Sequence, residues 1–179
     1  MKRVVMLLIV IILSVSVIYA FTEMEIVGIV DEWGDPTDDS YLMIATDDFT
    51  FSNSVFKNQD GYFFILYFFP QYKTICGAAV AYEYYTSVDK FYIDDTILVK
   101  YRDEAKNIVE VRTKRSYNEE ATFAFMGKDA ENFANAMINS NKIQLIISGT
   151  NYEKDTKYNC TFEYDKNEMK ANLETIGWK

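Results

Sequence analysis

Apolar and aromatic residues come along most of the chain in short runs broken by polar clusters, which is the rhythm of strands. Runs rich in β-branched and aromatic side chains cover residues 24–30, 41–46, 49–55, 62–69, 78–85, 92–101, 108–113 and 121–126. Turn-forming clusters separate them: Asp35-Pro36-Thr37-Asp38-Asp39, Asn58-Gln59-Asp60-Gly61 and Arg102-Asp103-Glu104. Short strands repeated at this spacing predict a mainly β, antiparallel domain, either a β-sandwich or barrel-like.

Two segments in the C-terminal half change period. Ala130, Phe133, Ala134, Met137 and Ile138 recur at helical spacing and form one apolar stripe, so the pattern predicts a helix over 128–139. Asp165 and Glu168 stand as in a capping box, with Met169, Leu173 and Ile176 on one face behind them, which predicts a second short helix. Strands at 143–148 and 158–164 lie between the two. No linker and no fixed repeat divides residues 21–179, so they are expected to form a single domain.

The first twenty residues carry a different message. Lys2 and Arg3 precede an apolar run over 4–15, and Ser16-Val17-Ile18-Tyr19-Ala20 follows. A basic start, an apolar stretch and a small residue before the cut describe a signal peptide over 1–20. The mature domain, 21–179, is then extracytoplasmic: in the periplasm, on the cell surface or secreted. The rival reading is an uncleaved anchor, since 4–20 is just long enough to span a bilayer at about 17–25 residues. The membrane is a partner only in that case.

Charge and composition narrow the chemistry. The chain has 18 Lys+Arg against 27 Asp+Glu, a formal charge of -9. Removal of 1–20 takes away two bases and no acid, so the mature charge becomes 16 - 27 = -11. Nucleic acid is not an expected partner, because its binding needs a basic footprint. The sequence has no His, which removes the commonest general base and metal ligand and every Ser-His or Cys-His dyad. Gly-rich phosphate loops, paired Cys motifs and the G-x-S-x-G elbow are also missing from the sequence. No cofactor is expected. A pair of carboxylates could still hydrolyse a glycoside without His, so a His-free carboxylate hydrolase stands as the alternative to a non-catalytic domain that binds an envelope protein or a small ligand. A tethered structural envelope protein is the third reading.

Four groups of residues stand out, each with a plain structural explanation beside the functional one. Cys76 and Cys160 are the only cysteines and would pair in an oxidising compartment, or else remain two buried thiols. Asp31, Asp35, Asp38 and Asp39 belong to a dense acidic stretch, either a turn or a weak cation site. The unbroken run 62–69 reads as a core strand, or as a contact strand presenting Tyr62, Phe64, Tyr67 and Phe69. Lys100, Arg102, Lys106, Arg112, Lys114 and Arg115 form a basic strip that captures an anion or simply pairs with neighbouring carboxylates.

Asp31-Glu32-Trp33-Gly34-Asp35-Pro36-Thr37, followed by Phe49-Thr50-Phe51-Ser52-Asn53-Ser54, resembles a group of bacterial exported β-rich proteins of uncharacterised function. They share a D-x-[FW]-G-[DE]-x-T turn and then an F-S-N-S strand. The resemblance covers about residues 26–178 and implies an extracytoplasmic β-sandwich-like domain; it supplies no catalytic residue. Taken on their own chemistry, Gly34 permits a tight turn, while Asp35 and Thr37 can bond nearby amides.

Overall fold

The computed structural model describes residues 22–52, 62–81, 97–113, 122–151 and 154–178. Two five-stranded antiparallel sheets pack face to face. Sheet I contains β1 (Thr22–Val30), β2 (Pro36–Thr46), β4 (Tyr62–Phe69), β5 (Thr74–Ala81) and β8 (Phe123–Met126), in the order β1-β2-β4-β5-β8. Sheet II contains β3 (Phe49–Ser52), β6 (Ile97–Arg102), β7 (Ile108–Thr113), β9 (Lys142–Asn151) and β10 (Lys154–Glu163), in the order β3-β10-β9-β6-β7. This is the sandwich of the two architectures expected. It is not a closed barrel, since β1, β8, β3 and β7 remain edges.

Alternation sends every second side chain inward, and strand register aligns those side chains in rows across each sheet. Ile26, Leu42, Phe68, Ile75 and Phe125 form one inner row of sheet I; Met24, Ile44, Leu66, Gly77 and Phe123 form the next. Facing them from sheet II are Val111, Val99, Ile147 and Tyr158, then Tyr101, Leu145 and Cys160. Apart from Ile26, which stays exposed on edge strand β1, the apolar side chains of these rows belong to one continuous core in which Leu42, Phe64, Leu66, Phe68, Ile75 and Phe123 are wholly buried.

Gly77 explains why β5 begins earlier than the expected 78–85. A Cβ at this position would lie 2.4 Å from Cε1 of Phe123, so only glycine lets that ring lie flat on the strand. A glycine inside a strand also erases the local β pattern that would reveal it. β2 likewise starts at Pro36, inside a cluster expected to be a turn. Proline has no N–H to lose at the first residue of a strand, and the turn moves back to residues 31–35. Residues 53–55, 58–61, 82–85, 92–96 and 121, also assigned to strands or turns from the sequence, lie outside the described residues.

Helix α1 (Lys128–Ile138) packs against β8 and β9, one strand from each sheet, and against α2 (Lys166–Thr175). Phe133 and Met137 of α1 and Met169 and Leu173 of α2 complete the core. Asp165 caps α2 as expected, its side chain accepting from the Asn167 amide at 2.8 Å.

Side-chain hydrogen bonds tie the sheets together, among them one from the Glu163 amide of β10 to Thr22 Oγ1 of β1 at 3.1 Å. Thr46 Oγ1, buried on β2, donates to the Thr161 carbonyl of β10 at 2.6 Å and accepts from the Asp48 amide at 3.2 Å. Toward the other side, Thr113 Oγ1 of β7 donates to the Ala124 carbonyl of β8. Among the described residues no helix is long and apolar enough to cross a membrane. The segment 1–20, read as a signal peptide, lies outside them.

Candidate functional site

The acidic turn is backbone architecture. Asp31 Oδ1 accepts from the amides of Trp33 at 2.9 Å and Asp35 at 3.0 Å, while the Asp31 amide donates to the Asp35 carbonyl at 2.9 Å. Gly34 closes the loop at φ 86°, in the left-handed region where glycine is unstrained. Thr37 Oγ1 donates to the Ile29 carbonyl at 2.7 Å and accepts from the Asp39 amide at 3.2 Å. Asp38 and Asp39 stand exposed on β2. Among the described residues no group of three or more acids and thiols is arranged to hold a metal.

The cysteines are not bridged, and the geometry shows why. Cys160 points into the core from β10, whereas Cys76 sits opposite Tyr67 on the outer face of sheet I. A full sheet therefore separates the two sulfurs. Burial, with a smaller push from Asp48, raises the Cys160 thiol well above its ordinary value, so it stays protonated and unreactive. Alternation also splits the contact strand. Phe64 is fully buried in the core, while Tyr67 and Phe69 share the outer face, their rings 6.2 Å apart; the Tyr62 side chain lies outside the described residues. The four do not form one surface.

The outer faces of the two sheets differ sharply. On sheet I the outward rows are Met43, Tyr67, Cys76 and Ala124, then Ala45, Ile65 and Ala78, with Phe63 beside Val80. They are apolar, and Ile65, Ala78 and Val80 form a second buried cluster. Glu23 and Glu25 on edge strand β1, and Asp39 toward the start of β2, bring charge to its margin.

On sheet II the outward rows are polar. One row is Thr50, Asn159, Ile146, Lys100 and Glu110; the next is Thr161, Gln144, Arg102 and Ile108. Asn159, Ile146 and Lys100 of the first row and all four residues of the second line a depression of about 280 Å³ whose lining includes no carboxylate. Its floor is Ile146, with Ile108 at one rim, 64% exposed. Lys100 pairs with Glu110, and Arg102 Nε donates to Gln144 Oε1 at 3.0 Å. Two of the six residues of the expected basic strip, Lys100 and Arg102, thus line the depression. Lys106 lies in the β6–β7 turn at φ 64° and Arg112 one row away, without an ion-pair partner among the described residues. Lys114 and Arg115 lie outside them.

A second depression, of about 320 Å³, runs between α1 and α2 and is lined by Ala134, Ile138, Leu173 and Trp178 with Glu131 and Glu174. Glu131 meets Lys73 at 3.0 Å and Glu174 meets Lys170 at 3.9 Å, and both acids are well exposed.

The sequence did not single out Gln144, Ile146, Asn159 or Thr161. The available signal was parity: in 143–148 and 158–164 the apolar positions alternate with these four, which therefore share the opposite face. No family model, curated protein or solved structure matches the chain. The reading of the site rests on its own geometry.

Proposed function

We propose that the chain is an exported, non-catalytic domain that works outside the cytoplasm and binds a protein or small ligand through the outer face of sheet II. The observation that carries this reading is the carboxylate-free depression over Ile146, ringed by Lys100, Arg102, Gln144, Asn159 and Thr161. It presents donors, an amide and a hydroxyl around an apolar floor, the composition of a recognition surface. The basic and apolar start of the chain and its turn and strand motifs support export and kinship with bacterial exported β-rich proteins.

A photo-crosslinking residue placed at Ile146 should trap a ligand or partner protein, and Arg102→Glu should reduce that yield several-fold. The same probe at Asn167, on the exposed side of α2, should trap nothing in common. Mass spectrometry of the exported protein should find Phe21 at its start. Turnover of glycans or esters by the purified protein, abolished by a single Asp or Glu substitution, would overturn the proposal in favour of a carboxylate hydrolase.

A further inference from the structure

The hairpin of β1 and β2 extends well past the body of sheet I. β2 pairs with β4 only from Leu42 to Thr46, whereas its pairing with β1 continues to Pro36 opposite Val30. Residues 36–40 therefore overhang by roughly 16 Å at ~3.3 Å per residue. Every residue from Val30 to Asp39 is exposed. At the tip stands Trp33, 82% exposed, on a turn locked by the Asp31 carboxylate and Gly34. A large apolar ring presented on such a turn is well suited to anchor a contact, because the backbone beneath it has little entropy left to lose on docking.

The charge around this ring selects its partner. Asp31, Glu32, Asp35, Asp38 and Asp39 flank it, and residues 22–52 contain no Lys or Arg at all. Such a tip is repelled by an anionic lipid surface and attracted to a cationic one. The same molecule carries a matching receptor on its other sheet: the depression of about 280 Å³ lined by Ile146, with Arg102 and the Glu110-paired Lys100 at its wall and Arg112 one row away. The cavity is of a size to admit an indole, and Arg102 is placed to lie against the ring face as a cation–π partner. The depression opens away from sheet I, so the donor and the acceptor belong to different copies.

We propose that the protein assembles with itself head to tail, the Trp33 hairpin of one copy docking into the outer face of sheet II of the next. Two different patches meet at such a contact, so it repeats in one direction unless the rotation closes a ring. The inference rests on the reading of that face as a binding surface and names a second copy as its occupant.

Sedimentation velocity on the protein expressed from the full 179-residue sequence, taken through the micromolar range, tests the idea. Species larger than a monomer should grow with concentration and shrink with added salt. Trp33→Ala and Arg102→Glu should each weaken association at least about tenfold, and both sites are exposed, so neither change should alter the thermal midpoint. An equimolar mixture of the two variants is decisive: Arg102→Glu still offers a hairpin and Trp33→Ala still offers a face. They should form a one-to-one dimer that does not extend, with a blue shift of Trp33 emission. A wild type that stays monomeric, variants that associate like wild type, or a mixture that fails to pair would each overturn the proposal. If the crosslinker at Ile146 captures a different molecule while the protein stays monomeric, self-assembly fails and the binding role survives. If it captures nothing and the variants change nothing, both fail.

Discussion

The two sheets have the same strand number and the same alternation, yet their outer faces have opposite characters. Ile65 on sheet I and Ile146 on sheet II occupy equivalent places, each central in an outward row. Ile65 is 5% exposed within an apolar cluster, whereas Ile146 is half-buried among amides and cations. An apolar outer row must be covered to be stable; a polar one is stable in water and remains available for contact. One outer face is therefore largely withdrawn from water, while the other stays open to it.

The sharpest way to break that comparison is to place the same charge on both faces. Ile65→Asp should cost at least about 3 kcal/mol, because it buries a carboxylate with no partner, while Ile146→Asp should cost less than about 1 kcal/mol beside Lys100. Urea unfolding of the two variants measures both, and equal losses would erase the distinction. A pair of glycines sharpens it inside sheet I. Gly77→Ala drives a methyl into Phe123 and should cost about 1–3 kcal/mol, whereas Gly28→Ala on edge strand β1, with nothing within 4 Å, should be neutral or gain up to about 1 kcal/mol.

Much of the fold was legible because the side-chain period is two and the runs are short. β4 and β7 match their sequence ranges, and α1 follows the Ala130–Phe133–Met137 stripe. Position within a sheet was not legible: parity in a uniform run such as 62–69 cannot say which set faces the core, so Phe64 and Tyr67 looked alike. Nor could spacing reveal that Cys76 and Cys160 point to opposite sides of sheet I. The candidate site on sheet II was harder still, because its residues come from four strands and meet only through register.

Smaller effects test how the two sheets are joined. Thr46→Val removes the hydroxyl that donates to the Thr161 carbonyl and should cost about 1–2 kcal/mol in chemical denaturation. A Thr46→Ser variant keeps the donor and should recover part of that loss. Alkaline pH probes the core side of sheet II. The Cys160 thiol is raised in the fold, so its contribution is complete below its ordinary value of 9.0 and is lost as pH climbs from there toward the raised value. Wild type should lose on the order of 1 kcal/mol more than Cys160→Ala between pH 9 and pH 10, read from unfolding midpoints at each pH. Parallel losses would show that the thiol does not contribute.

The order in which the chain visits its sheets has a consequence for how it folds. β1 and β2 enter sheet I, β3 crosses to sheet II, β4 and β5 return, β6 and β7 cross again, β8 closes sheet I, and β9 and β10 fill the middle of sheet II. β6 and β3 have no neighbour to join them until β9 and β10 exist. A nascent chain lacking its last third thus faces Phe64, Leu66 and Phe68 with only β3 and the β6–β7 pair, and its decisive pairings have high contact order. Folding must wait for the C-terminus. Until then the aromatic strand 62–69 is incompletely covered and prone to aggregate.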